Sequence, residues 1–321
     1  MKLIIITLPL TLAILFVGSC QHIEAQDHWP RDFQNVGDTF FEFGAKAYDR
    51  PGDDLGFPVL VDGVTNAVLL DSGDLTDLGG AAGAEVRFGW KGHKNQKWEV
   101  RTFLTNWDDS SEFDQPNLTS PLSPDLNPGA VNLDYTSQLF SIEINRRLPI
   151  TPGLTFLTGP RFISLNEDLE FTTDTTVSVA PLPDVDVFSE NSIETRNPLL
   201  GGQIGALLNF QISRDLYFQG FIRAGGYVNF LELRSTAETT LTDETIDVLR
   251  RNTGSFVGEV GGKAYFDLIP GAFSGFVGYE ATWLDDIALA PAQATTLTPT
   301  EIVTGVTPFF HAVTFGLQFR R

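Results

Sequence analysis

Histidine serves acid–base and metal chemistry more often than other side chains, and this chain has four, at His22, His28, His93 and His311. A Ser-His-Asp triad or a zinc site needs imidazoles that converge with a nucleophile or with other ligands. Here His22 lies in a predicted export signal, His93 in a short turn and His311 among alternating apolar residues. The sequence contains no His-Glu-x-x-His, P-loop or Gly-x-Ser-x-Gly pattern. We therefore predict no catalytic residue, no metal site and no cofactor.

Aspartate is the second residue type that could do chemistry, because carboxylates bind divalent cations. Asp53, Asp54, Asp71, Asp74 and Asp77 lie within one Pro-, Gly- and Asp-rich stretch. Their spacing does not match an EF-hand loop. A solvated acidic loop is the preferred interpretation, because runs of charge usually lie on solvated surfaces.

Charged residues of both signs also alternate with apolar residues, as in Ala84-Glu85-Val86-Arg87-Phe88. A period of two places the charged side chains on one face of a strand and the apolar side chains on the other. We predict that the charged face lines the lumen of a barrel, where ion pairs between strands pack a narrow interior. The predicted lumen-lining residues are Glu42, Lys46, Glu85, Arg87, Glu99, Arg101, Glu143, Arg161, Arg223, Glu259, Lys263 and Glu280.

The elements that carry these residues are strands, since no apolar stripe with a helical period is sustained. The last strand, residues 308–321, has an apolar odd-numbered face. At a free edge it would leave its backbone groups unpaired, so we expect it to pair with the first strand and close a barrel. The predicted strands cover residues 39–48, 83–90, 97–107, 133–147, 154–171, 198–212, 216–230, 256–268, 273–284 and 308–321.

Long and short connections alternate between these strands, with long loops predicted at residues 50–78, 108–130, 172–196, 234–254 and 285–307. Residues 57–61 add a short strand to the first loop. Outer-membrane barrels have this arrangement, with extended loops outside the cell and tight turns in the periplasm. The fold class is therefore all-β, a single antiparallel up-and-down transmembrane barrel of about ten strands.

Alternation alone does not decide which face meets lipid, because a soluble lipocalin-like barrel has its apolar side chains inside. Aromatic residues near the strand ends favour the membrane alternative, since barrels carry aromatic girdles at both interfaces. Ordinary core aromatics at strand ends are the other interpretation. The predicted interfacial aromatics are Trp90, Trp98, Phe210, Phe218, Phe266, Phe273, Trp283, Phe309 and Phe319, with Trp107 and Tyr135 near the long loops.

The beginning of the chain resembles an export signal, with Lys2 followed by an apolar run at residues 3–17 and by small residues. Val-Gly-Ser-Cys at 17–20 resembles a lipobox that would acylate Cys20, and Ile-Glu-Ala at 23–25 resembles an ordinary signal-peptidase site. We prefer the second site. It gives a signal peptide at 1–25, a periplasmic leader at 26–38 and a transmembrane barrel at 39–321.

The whole mature chain resembles the β-barrel porins of bacterial outer membranes, of the major-outer-membrane-protein-like group. Three segments carry the resemblance: Gly-Ala-Glu-Val-Arg-Phe-Gly-Trp at 83–90, Gln-Leu-Phe-Ser-Ile-Glu-Ile-Asn-Arg-Arg at 138–147 and Leu-Thr-Gly-Pro-Arg-Phe at 157–162. It implies an outer-membrane location and a C-terminal strand that the assembly machinery reads. The family favours an aromatic last residue, whereas Arg320 and Arg321 follow Phe319 here. Outer-membrane proteases are similar in having ten strands with acidic residues and a His at the outer rim, where Asp285, Asp286 and His311 fall.

Porin-like passage of small hydrophilic solutes through the charged lumen is the preferred function, with the lipid bilayer and a lipopolysaccharide-type outer leaflet as surroundings. The alternatives are a closed structural or partner-binding barrel that acts through acidic surface loops, and a secreted soluble β-protein. A homo-oligomer is compatible with each. The formal net charge of −20 argues against nucleic acid, because the phosphate backbone requires a basic surface.

Overall fold

The computed structural model describes residues 39–52, 58–62, 65, 67–77, 79–92, 96–114, 118–119, 130–177, 185–240, 242–294 and 299–321. The predicted signal peptide (1–25), the predicted leader (26–38) and Cys20 lie outside the described residues, and so do His93, Asp53 and Asp54. All described residues belong to one compact unit.

Extended structure dominates these residues. The strands are β1 (Thr39–Arg50), β2 (Pro58–Asp62), β3 (Val68–Asp71), β4 (Gly79–Lys91), β5 (Lys97–Asp114), β6 (Leu118–Thr119), β7 (Ala130–Thr151), β8 (Leu154–Val177), β9 (Val185–Gln211), β10 (Leu216–Thr239), β11 (Thr242–Ile269), β12 (Phe273–Leu284) and β13 (Phe309–Arg320). Two short helices span Ser72–Thr76 and Ala290–Gln293. Neither of these helices is long and apolar enough to cross a membrane.

Ten of the strands close into an antiparallel barrel in chain order, and β2, β3 and β6 form a separate small sheet. The barrel closes between β1 and β13, where Phe41 pairs with Phe319 and Ala47 with Val313. This confirms the predicted ten-stranded barrel and its closure by the last strand, and β2 confirms the short strand predicted in the first loop. We call the end of the barrel at which β1, β5, β8, β10 and β12 finish the loop end, and the opposite end the turn end.

The predicted loops at 172–196 and 234–254 are wrong, because strand structure continues through most of both. β10 and β11 pair in register from Leu216 and Phe266 as far as Ala237 and Thr245. The strands β5, β7, β8 and β9 also run further towards the loop end than predicted. The sequence pattern did not predict these extensions because most of their outward side chains are polar, whereas a membrane barrel is expected to have an apolar outward face.

The polarity of the barrel wall reverses along β9. Near the turn end the outward side chains are apolar, with Leu200 and Ile204 more than half exposed. Further towards the loop end the outward positions are Glu194 and Arg196, while the inward Leu199 is fully buried. The structure therefore has an apolar outer band around a charged interior, and beyond it an extension with a mainly polar exterior around an apolar core.

The apolar core of the extension also contains connecting segments. Ile287, Leu289 and Ala290 of the β12–β13 connection are completely buried and share one cluster with residues of the wall. Val59 and Leu60 of the small sheet belong to the same cluster. We call residues 287–294 the inner segment. The connection that was predicted as a simple loop thus supplies much of the core at this end.

Candidate functional site in the lumen

All predicted lumen-lining residues lie inside the barrel wall, and none is more than 3% exposed. Six of them are glutamates, namely Glu42, Glu85, Glu99, Glu143, Glu259 and Glu280. The other six are cations, namely Lys46, Arg87, Arg101, Arg161, Arg223 and Lys263. Their formal charges cancel. The alternation of side chains along the strands explains this placement, because each residue falls on the inward parity of its strand.

Arg101 on β5 occupies the middle of the cluster. Its Nη2 atom lies 2.7 Å from Glu85 on the adjacent β4 and 2.7 Å from Glu280 on β12. Its Nη1 atom forms an ion pair with Glu259 on β11. A side chain from one wall of the barrel therefore spans the lumen and neutralises carboxylates on the opposite wall.

Glu259 continues the cluster towards β8 and β10. Its carboxylate lies 2.8 Å from Arg161 and 2.8 Å from Arg223. Glu143 is 3.7 Å from each of these arginines and accepts a hydrogen bond of 2.6 Å from the Gln203 amide. Sequence reasoning missed Gln203, although it shares the inward parity of β9.

Glu42 anchors the part of the cluster nearest the turn end. It pairs with Lys263 at 2.5 Å and with Arg87 at 3.3 Å, and the Tyr265 hydroxyl donates to it at 2.9 Å. Arg87 also pairs with Glu99 at 3.1 Å. Ion pairs and hydrogen bonds therefore cross the lumen from its middle to the turn end. Charge-assisted bonds of this kind are strong when the partners are desolvated and held in place.

Arg50 and Glu167 form a further buried ion pair between the cluster and the loop end, with 2.6 Å between Nη1 and Oε1. The Tyr135 hydroxyl and the Ser137 hydroxyl lie within hydrogen-bond distance of the same Arg50 nitrogen. The other oxygen of Glu167 accepts a hydrogen bond of 2.9 Å from the Ala290 backbone. Sequence reasoning missed this pair because Arg50 was assigned to a loop, although Glu167 has the parity of Arg161.

Asn197 of β9 holds the inner segment at a second point. Its Nδ2 atom donates to the Ala288 carbonyl at 2.7 Å, and its Oδ1 atom accepts from the Ala288 amide at 3.0 Å. Gln293 joins the inner segment to a later part of the same connection. Its Oε1 atom accepts from the Val303 amide at 2.9 Å, and its Nε2 atom donates to the Val303 carbonyl at 2.8 Å. Inward side chains of the wall thus satisfy the backbone of the inner segment, as burial of polar groups requires.

Replacing Asn197 by Ala is expected to loosen the inner segment, because it leaves two buried backbone groups of Ala288 without partners. Such a loss costs about 1–3 kcal/mol. Hydrogen exchange of residues 287–294 measures it, with the exposed Asn132→Ala as the control. Equal protection of these amides from exchange in both variants would show that Asn197 does not hold the inner segment.

The histidine and aspartate residues of the rim make separate contacts. His311 faces outwards, and its Nδ1 atom is hydrogen-bonded with the Tyr279 hydroxyl. Asp285 accepts a hydrogen bond of 2.8 Å from Thr307, and Asp286 accepts one from Thr253. None of these contacts joins the histidine to either aspartate in the described part of the rim.

The early aspartates have a local structural role. Asp71 is the N-cap of the Ser72–Thr76 helix and accepts a hydrogen bond of 2.9 Å from the Asp74 amide. Asp74 accepts one of 3.2 Å from the Asp71 amide, which completes a capping box. The described residues contain no group of three or more His, Cys, Asp and Glu side chains arranged for a metal ion.

None of the nine predicted interfacial aromatics is buried. Phe273 and Phe319 stack at the turn end with 4.7 Å between ring centroids. Trp283 covers Gly258, where a Cβ would overlap its ring. Trp107 and Tyr135 are different, because both are only 1% exposed and face inwards. Their assignment to the outer girdle is wrong, since they share the inward parity of Arg101 and Glu143 on their strands.

No protein family model and no curated protein matches the chain. Among solved structures, the outer membrane protease OmpT from Escherichia coli covers 89% of this chain and 97% of its own, with 10% identity and a TM-score of 0.41. A Pseudomonas aeruginosa FadL homologue covers 91% and 92%, with 8% identity and a TM-score of 0.25. The translocator domain of the autotransporter NalP from Neisseria meningitidis covers 92% and 95%, with 11% identity and a TM-score of 0.29. Similarity at this level transfers no activity to this chain.

Proposed function

We propose that this chain is a bacterial outer-membrane β-barrel whose lumen is closed. The outer band supports the membrane location: Phe43, Ile222, Val277 and Phe315 are each about half exposed or more. Soluble proteins rarely expose a continuous apolar surface of this extent. The loop end then faces the cell exterior, as extended strands and loops do in such barrels.

The closed lumen rests on one observation, the charge-neutral cluster of glutamates, lysines and arginines that are at most 3% exposed. A diffusion pore for hydrophilic solutes requires an aqueous path. Here Arg101 and Lys263 each bind carboxylates from different strands, and the inner segment occupies the loop end. The closed alternative therefore has more support than porin-like passage.

Single-channel recording tests this proposal. The refolded, monodisperse barrel is expected to insert into planar bilayers without producing conductance steps, whereas a porin of known conductance in the same bilayers gives discrete steps. Protease protection of the inserted strands verifies the insertion. Reproducible steps from the inserted protein would restore the porin hypothesis.

A closed barrel acts through its surface, and the outer face of the extension is acidic. Partial burial, together with the charge of Glu190, raises the pKa of Glu170 above its usual value. Partial burial also raises the pKa of Asp168. We infer a structural or partner-binding role at the loop end. On β5, β7, β8 and β9 the outward carboxylates there include Asp108, Glu112, Asp114, Asp134, Asp168, Glu170, Asp174, Glu190 and Glu194.

A further inference from the structure

The outer surface of β9, β10 and β11 has a groove where glycines replace larger side chains. A Cβ added to Gly226 or Gly254 would meet no atom within 4 Å, and one on Gly202 would meet only a backbone oxygen at 4.0 Å. Other outward glycines of the band are covered, as Gly258 is by Trp283 and Gly262 by Phe218. The uncovered positions are therefore a local property of this face.

Apolar side chains form the walls of this groove. Gly202 and Gly226 are paired across β9 and β10, and Gly226 is paired with Phe256 of β11. Ile204 and Phe256 rise beside them, with 57% and 45% of their surfaces exposed. The groove lies inside the apolar outer band, so its occupant is apolar and comes from the bilayer.

Arginines lie on the same face where the band gives way to the polar extension. Arg196 and Arg250 flank Glu232 in one row of paired residues, and Arg234 lies in the next row. Eight positions along β10 separate Arg234 from Gly226, which is about 26 Å along the strand and about 20 Å along the axis of a barrel whose strands tilt by roughly 40°. An acyl chain that begins at this boundary reaches the groove.

Arg234 is the guanidinium available to a ligand. Arg196 pairs with Glu194 at 2.5 Å and Arg250 pairs with Glu232 at 2.8 Å. Arg234 makes no ion pair with any described residue. Within these two rows three arginines accompany Glu194 and Glu232, and Asp168 lies one strand further away beside Glu194. In a chain with a net charge of −20, these two rows concentrate three guanidinium groups, and Arg234 is the one among them that has no ion-pair partner in the described residues.

We propose that this face binds a phosphorylated, acylated lipid of the outer leaflet, of the lipopolysaccharide type. Arg234 binds a phosphate, since guanidinium groups bind phosphate oxygens in paired hydrogen bonds, and one acyl chain fills the groove over Gly202 and Gly226. A second copy of the chain fits less well, because a two-fold interface would bring the same arginines together. The choice of leaflet rests on the proposed orientation of the loop end.

Native mass spectrometry of the full-length barrel in detergent tests the site with lipid A and with phosphatidylglycerol. Arg234→Gln is expected to weaken lipid A binding about tenfold, as expected for the loss of a charge-assisted bond. Gly226→Leu is expected to weaken it similarly by filling the groove. Its matched control is Gly220→Leu, which adds the same side chain to the outer band nearer the turn end, where a Cβ has ordinary contacts.

Wild-type affinity for lipid A in both Arg234→Gln and Gly226→Leu would overturn the proposed site, and so would equal affinity for phosphatidylglycerol. Failure of the membrane assignment gives a different result. In that case the wild-type protein stays monodisperse without detergent. If the barrel needs detergent but neither substitution changes its affinity for lipid A, only the lipid site is refuted.

Discussion

Arg101→Ala is expected to lower the free energy of unfolding of the barrel by about 3–5 kcal/mol, the cost of breaking a buried ion pair from one side. The guanidinium binds Glu85, Glu259 and Glu280, so its removal takes one cation from each of them and leaves the neutral cluster with an uncompensated negative charge in a site shielded from water. Denaturant unfolding from lipid vesicles, followed by tryptophan fluorescence, measures the change.

The matched control is Arg250→Ala, which removes another arginine from a glutamate pair. Arg250 lies on the outer surface with 74% of its side chain exposed. Exposed ion pairs contribute about 0–1 kcal/mol. A loss below about 1 kcal/mol for Arg101→Ala would show that water reaches the cluster, and it would favour the open lumen over the closed one.

The lumen could be predicted from sequence because its signal is local. Glu85 and Arg87 alternate with apolar residues on β4, and the same period places Glu99 and Arg101 on the inward face of the adjacent β5. Strand geometry then gives the inward face without knowledge of the partners. The partners themselves were beyond prediction, because the pair of Arg101 with Glu280 depends on the curvature that brings β5 near β12.

The inner segment was not predictable in the same way. Ile287, Leu289 and Ala290 carry no period, and their burial depends on Asn197 and Glu167, which are distant in sequence. The extensions of β9 to β11 were missed for another reason. Their alternation has the polarity of a soluble barrel, and a search for an outward apolar face reads such stretches as loops.

Reversal of the wall's polarity also explains why one chain has the alternation of a membrane barrel in some segments and the alternation of a soluble barrel in others. In the band, water is absent outside and the charged residues pair inside; in the extension, water solvates the exterior and apolar side chains pack inside. Each face follows the medium it meets. The switch from Arg196 to Leu200 on β9 accordingly marks the boundary at which the proposed bilayer begins.

Phe315→Arg is expected to destabilise the membrane-inserted barrel by about 2–4 kcal/mol, the cost of arginine near the bilayer midplane. Phe315 lies halfway along β13, faces outwards and is 57% exposed. The matched control is Ile246→Arg, because Ile246 is also an outward apolar residue, 46% exposed, but belongs to the extension of β11. Its cost should be about 0–1 kcal/mol, as near or beyond the interface. Equal destabilisation by Phe315→Arg and Ile246→Arg in vesicles would show that the bilayer does not lie where we propose. A large cost at Phe315 alone would establish which part of the outer surface meets lipid.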